Sequence, residues 1–135
     1  MKIFLASCVI LDDYGKILLL HRASDNLAQW ELPGGVVEEG ETAEATAVRE
    51  IDRELGVKVR LVNTLGYEEF ESDEDSFHCT WFQAEVTAAD PSLKATTAFD
   101  DMDYFDLEDL PSLSLSTSLQ ALFEKIFGGE IALGG

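Results

Sequence analysis

Residues 35–57 read GVVEEGETAEATAVREIDRELGV, and this stretch decides the fold. From Thr42 onward Ala45, Val48, Ile51 and Leu55 recur at the three-and-four spacing of a helix with one apolar face. Thr42 offers an N-cap hydroxyl, and Gly56 supplies the residue that stops the helix at its C-terminal end. Glu50 and Glu54 stand four residues apart, so they share one helix face and reach toward one point. Two carboxylates converging in this way suit a hard divalent cation, because Mg²⁺ prefers oxygen ligands and keeps several waters. Taken alone, such a pair is on most helices a solvated face, and the residues around it decide between the two readings.

Just upstream, Trp30-Glu31-Leu32-Pro33-Gly34-Gly35 carries a proline and paired glycines that forbid a helix and demand a shaped loop, able to present a backbone carbonyl to the carboxylates. Further out, Ile3 to Leu11 and Ile17 to Leu20 read as two strands, each buried on both faces, joined by a tight turn at Asp12-Asp13-Tyr14-Gly15. A polar stretch from Arg22 to Gln29 follows them. Downstream, Val57 to Phe70 and Phe77 to Val86 predict a hairpin across the acidic turn Glu71-Ser72-Asp73-Glu74-Asp75. A polar connector from Ala88 to Thr97 leads to a short strand at Met102-Asp103-Tyr104-Phe105, and Ser116 caps a closing helix through Leu119, Leu122, Phe123 and Ile126. Two helices on opposite sides of a mixed β-sheet would bury both apolar surfaces, so the order predicts an α/β fold of the α/β/α sandwich kind. Met1 and the tail from Gly128 to Gly135 read as loose ends.

The 135 residues are one domain's worth, 1–135, at 46% hydrophobic and 27% charged, which excludes disordered and repeat architectures. A formal charge of −18 repels nucleic acid and anionic membrane, so a polyanionic substrate needs a metal or a local cluster of cations. Cys8 and Cys79 lie in apolar or aromatic stretches without metal-ligand spacing and read as reduced core thiols. The opening apolar run is too short to span a bilayer and has no convincing cleavage site, so it reads as a strand of a cytoplasmic protein.

Residues 35–57 resemble the Nudix box of the Nudix hydrolases, G-x5-E-x7-R-E-U-x-E-E-x-G-U with U a bulky aliphatic residue. Gly35, Glu41, Arg49, Glu50, Ile51, Glu54, Gly56 and Val57 fall in register, and Arg53 stands where the pattern has a Glu. Trp30 to Gly34 and Tyr104-Phe105-Asp106-Leu107-Glu108-Asp109-Leu110-Pro111 also look like segments of that family, so the resemblance covers nearly the whole chain. It implies a Nudix-type sandwich that hydrolyses a nucleoside diphosphate linked to another moiety, by default a nucleoside triphosphate, with Mg²⁺ (or Mn²⁺). It further implies a small-molecule nucleotide as partner and a monomer or homodimer.

By position, the resemblance makes Glu54 a metal ligand, Glu50 a ligand or the group that helps activate water, and the Gly34 carbonyl a further ligand. Glu41 and Arg49 resemble the ion pair that ties loop to helix beside Gly35. Arg22 resembles a position that meets phosphate or base, the other reading being a strand-end surface charge. Asp101, rather than Asp100, aligns with a late acidic residue near metal or water, the other reading being a solvated acidic loop. Trp30, Phe70 and Tyr67 could stack on a base or fill the core, whereas His21 and His78 read as packing residues. Arg53 is the departure within the catalytic set. Held about 6 Å from Mg²⁺ at an effective dielectric of about 20, it would be repelled by roughly 5 kcal/mol. Its long arm can instead swing aside or turn to the substrate, where its fork of donors suits phosphate. Two further readings therefore stand beside the hydrolase: a nucleotide-binding module weakened in turnover, and a nucleotide-sugar hydrolase of the same fold.

Overall fold

A computed structural model of the chain describes residues 1–24, 27–94 and 98–134. The elements run β1 (Lys2–Ile10), β2 (Ile17–Ser24), β3 (Leu27–Glu31), β4 (Gly34–Val36), α1 (Ala43–Leu55), β5 (Lys58–Ser72), β6 (Asp75–Ala88), β7 (Phe99–Phe105), a 3-10 turn (Leu107–Ser112) and α2 (Thr117–Phe127). The mixed sheet has the order β4-β1-β6-β5, with β1 parallel to β6 and antiparallel to β4, and a second, antiparallel sheet has the order β3-β2-β7. Side-chain alternation divides the core in two. Ala6, Cys8, Ile10, Leu18, Leu20 and Phe82 pack with Ala47, Ile51 and Leu55 of α1, whereas Val9, Ile17, Leu19, Cys79 and Trp81 pack with Leu119 and Leu122 of α2. The helices thus cover opposite faces, and the chain is an α/β/α sandwich.

The tight turn after β1 forms, with the Asp12 carboxylate accepting from Tyr14 N and Lys16 N, each at 2.9 Å. The strands it joins do not stay paired: they meet at one bridge, Leu11 to Ile17, and enter different sheets. The cause is their double burial. β1 is flanked by β4 and β6 and β2 by β3 and β7, so all four edges are spent elsewhere. The polar stretch from Arg22 to Gln29 belongs to a β2–β3 hairpin in which Arg22 faces Gln29; residues 25 and 26 at its tip lie outside the described residues. Residues 95–97 of the expected polar connector also lie outside them.

The tail is not loose. Gln83 Nε2 donates to the Gly134 carbonyl at 2.7 Å and Gly134 N donates to Gln83 Oε1 at 2.8 Å, while Ile131 is buried in the α2-side core. A buried amide paired with the tail, together with apolar anchors at Ile131 and Leu133, outweighs the entropy that chain ends otherwise keep. Gln83→Ala is therefore expected to speed amide exchange across residues 130–134 and leave α1 unchanged. Equal exchange in both proteins would show that the apolar anchors alone hold the tail. Among the described residues, no helix is long and apolar enough to cross a membrane.

Candidate functional site

α1 begins where the spacing places it: Thr42 is extended and its hydroxyl accepts from Ala45 N at 3.1 Å, and Gly56 is left-handed and donates to the Asp52 carbonyl. The buried stripe, however, is Thr46, Ala47, Glu50, Ile51, Glu54 and Leu55, with Ala45 outside. The helix is rolled so that both carboxylates sit on the flank of its buried face. A clasp holds this roll. Arg49 Nε and its terminal nitrogen donate to the two oxygens of Glu41 at 2.8 and 2.9 Å, and Thr46 Oγ1 donates to Glu41 at 2.5 Å. Charge-assisted, two-pronged pairing of this kind fixes geometry as well as charge.

The Arg49 bonds, then that from Thr46, hold the Glu41 carboxyl well below its ordinary value, at about 2. Its folded pKa is lowered, so its contribution to stability is complete above about 4.5 and is lost as pH falls toward 2. Glu41→Gln should thus melt below the parent at neutral pH, the gap closing as the melting buffer is taken from pH 5 to pH 2. A gap independent of pH would assign the loss to packing.

Glu54 is almost completely buried and Glu50 nearly so. Glu54 Oε1 accepts from Gly34 N at 3.0 Å, and burial pushes its carboxyl up to about 8 against the opposing effect of that bond. Glu50 is hydrogen-bonded to Arg53 Nε and lies 3.6 Å from Arg49; Arg53 also reaches within 3.6 Å of Glu54. Arg53 therefore neither swings aside nor lies free: it bridges the two carboxylates.

β4 brings the glycines to this pair. Cys8 N bonds the Pro33 carbonyl and Val37 N the Phe4 carbonyl, so by strand alternation the peptide edge of Gly34 faces away from β1, where its N–H meets Glu54. A Cβ on Gly34 would lie 2.1 Å from the Ala6 carbonyl oxygen, and one on Gly35 would lie 2.3 Å from Glu50 Oε1. Gly34 is required by the close approach of the β1 backbone, whereas a methyl at Gly35 would force the Glu50 side chain to move.

A cavity of about 300 Å³ opens beside these glycines, lined also by Arg22, Glu31, Phe70, Phe77 and the Ser116-Thr117-Ser118 entrance to α2. Arg22 lies over the Phe99 ring at 4.6 Å and donates to Glu31 at 2.7 Å. Phe70 stacks on Phe77 with centroids 5.2 Å apart. A larger hollow, about 670 Å³, shares no lining residue with it and is bordered by Asp12, Asp13, Glu85 and Asp90. The candidate site is the smaller cavity, where Arg22 and Glu31 meet the paired glycines.

The remaining candidates separate. Asp101 is exposed, caps Met102 N with its own carboxylate at 2.8 Å and does not line the cavity. The register of β2 and β7 slips between His21 and Arg22, which leaves Asp100 as the extra residue, hydrogen-bonded to His21 at 2.7 Å. His21 and Trp30 pack edge-on at 4.8 Å, and Trp30 packs on Phe105. Tyr67 stacks on His78 away from the cavity, so of the three aromatic candidates Phe70 alone lines it. Cys8 and Cys79 are free and buried; burial, with Glu54 adding to it, pushes the Cys8 thiol up to about 12. Phe77, Thr117 and Ser118 escape a reading by sequence, because β-pairing and helix docking over long separations bring them here, whereas Glu31 lies in the Trp30-to-Gly35 stretch without a signal of its own. Ser116 gave only a helix-cap signal.

Residues 2–125 match the NUDIX domain. The chain is 32% identical over 106 residues to an ADP-ribose pyrophosphatase of Methanocaldococcus jannaschii, covering 78% of this chain and 63% of that protein. It is 38% identical over 73 residues to a putative 8-oxo-dGTP diphosphatase of Bacillus subtilis, covering 54% and 48%. In both cases the match spans less than two thirds of the relative's length. The E. coli ORF135 protein superposes with TM-score 0.78 at 25% identity, over 94% of this chain and 89% of that one. A MutT protein from Methanosarcina mazei superposes at 0.82 with 24% identity, over 95% and 94%. With the box residues running from β4 through α1 and the domain match extending across nearly all of the sequence, the chain belongs to the NUDIX family.

Proposed function

We propose that the protein hydrolyses a nucleoside diphosphate linked to another moiety, with a divalent cation held by Glu50, Glu54 and the carbonyl of Gly34. The observation that carries this reading is the approach of two buried carboxylates to the paired glycines that line the cavity, Glu54 at the outward peptide edge of Gly34 and Glu50 against Gly35. Among the described residues no three His, Cys, Asp or Glu side chains converge as a ligand set. Two carboxylates and a carbonyl are a sparse set of hard donors, which fits Mg²⁺ or Mn²⁺ taking its other oxygens from water and phosphate.

Such an ion supplies charge neutralisation at phosphate oxygens and a more acidic bound water. Glu50 orients the attacking water and takes its proton at a carboxylate oxygen as the new P–O bond forms and the bridging P–O bond breaks. Arg22 binds the departing or retained phosphate by turning from Glu31, two prongs of donors meeting two oxygens. The Phe70 ring, already stacked on Phe77, gives the base a flat apolar wall, and the hydroxyls of Ser116 and Thr117 offer it polar partners, that of Ser118 being held by Trp81 and Cys79. The names of the pyrophosphatase relatives support the reaction class.

The test is product release from nucleoside triphosphates, ADP-ribose, dinucleoside polyphosphates and nucleotide sugars, with Mg²⁺, with Mn²⁺ and in chelator. Metal-dependent release of a nucleoside monophosphate supports the reading. A free sugar as product would move it to the nucleotide-sugar hydrolase. A bound nucleotide without turnover would favour the weakened binding module, for which Arg53 across both carboxylates is the specific observation.

A further inference from the structure

The carboxylates assigned to a divalent cation already hold a cation of the chain's own. Arg53 bonds Glu50 through Nε and lies 3.6 Å from Glu54 through a terminal nitrogen. Arg49 cannot serve in the same way, since two of its nitrogens are committed to Glu41 and its approach to Glu50 is 3.6 Å. Arg53 is differently placed: its side chain is half exposed, and among the described residues its ion pairs are with Glu50 and Glu54 alone. It can leave without breaking the clasp that positions the helix.

We propose that Arg53 is a displaceable counter-ion: it closes the Glu50–Glu54 pair against free metal, yields both carboxylates when a divalent cation arrives with substrate, and turns its guanidinium to the substrate's phosphates. Two buried carboxylates on one helix flank repel each other and need a compensating charge. Arg53 provides it in the metal-free protein, and a dication replaces it with charge to spare. The guanidinium is half exposed, beside carboxylates that meet the cavity's paired glycines, in a protein of net charge −18 where few cations are available to an anionic substrate. Its planar fork matches phosphate oxygens better than an ammonium would. Metal and phosphate therefore bind as a coupled pair, and the coupling is reciprocal: whatever factor the phosphate adds to metal affinity, the metal adds to phosphate affinity.

This inference rests on the metal-site reading above, and Mn²⁺ binding followed by electron paramagnetic resonance tests the two separately. Without nucleotide, Arg53→Gln should bind Mn²⁺ about tenfold or more tightly than the parent, and Arg53→Lys, which keeps the charge, within about threefold of it. With α,β-methylene-ADP present, and its own Mn²⁺ binding subtracted from a protein-free blank, parent affinity should rise by about tenfold and that of Arg53→Gln by much less. In chelator, Arg53→Gln should melt below the parent, and Mn²⁺ should raise its melting temperature more. Equal or weaker Mn²⁺ binding by Arg53→Gln overturns the counter-ion role while leaving the metal site standing. Absence of Mn²⁺ binding in both proteins removes the metal site and this inference with it.

Discussion

Glu54→Gln is expected to lower turnover steeply and, at the same time, to make the metal-free protein more stable. The two effects share one cause. Glu54 is about 1% exposed, and burial pushes its carboxyl from an ordinary 4.5 up to about 8. A folded pKa above the unfolded one means that no penalty exists below about 4.5, where the group is neutral in both states, and that stability is lost as pH rises through about 8. The cost accumulated by pH 8 is on the order of 4 kcal/mol. Glutamine keeps an oxygen to accept from Gly34 N and removes that cost. In chelator, the melting temperature of Glu54→Gln should therefore match the parent near pH 4 and exceed it increasingly toward pH 8. Turnover with Mg²⁺ should fall on the order of 10²-fold or more, since a neutral amide is a poor ligand for a hard cation. A variant that melts with the parent at every pH would mean that Arg53, which opposes the shift only in part, offsets the burial of Glu54 in full.

Gly34→Ala is expected to lower the melting temperature by about 10 °C or more, from a loss on the order of 3 kcal/mol. The added methyl would meet the Ala6 carbonyl oxygen at 2.1 Å and Ser7 Cα at 2.7 Å, and φ at Gly34 is +155°. Neither contact is the yielding tip of a side chain. Both belong to the backbone of β1, which is locked on its other edge to β6, so β4 must part from β1. As it moves, Glu54 loses its backbone donor, and metal affinity should fall with stability. Gly40→Ala is the comparison: φ is +81° but nothing lies within 4 Å, so the cost is backbone strain of about 1 kcal/mol. Equal melting of the two variants would show that β4 is not held to β1 as tightly as the register implies.

Local chemistry made α1 and its site face legible in the sequence. Thr42, Gly56 and the Glu50–Glu54 spacing act over four residues or fewer, and the helix ends are where those residues put them. Both caps act within one turn of chain, and so does the Ser116 cap of α2. What the sequence hid depends on distant partners. The split of β1 and β2 between sheets follows from edges claimed by β6 and β7, far along the chain. The docked tail depends on Gln83, which reads as an ordinary strand residue until Gly134 reaches it. The slip between His21 and Arg22 turns Asp100 to His21 and leaves Asp101 capping its own neighbour, a reversal that no local pattern announces. Arg53 was visible as a departure from the box, but its partners became visible only once burial had brought both carboxylates and the guanidinium to one flank of the helix.

A divalent cation is expected to bind between α1 and β4 and not elsewhere on this strongly acidic surface, where the hollow bordered by Asp12, Asp13, Glu85 and Asp90 is the obvious competitor. Substoichiometric Mn²⁺ added with α,β-methylene-ADP to the isotopically labelled protein, read as paramagnetic broadening of backbone amides, decides between the two. Broadening centred on Gly34, Gly35, Glu50 and Glu54, and lost in Glu54→Gln, is the predicted result. Broadening centred on Asp12 and Asp90, unchanged in that variant, would contradict it.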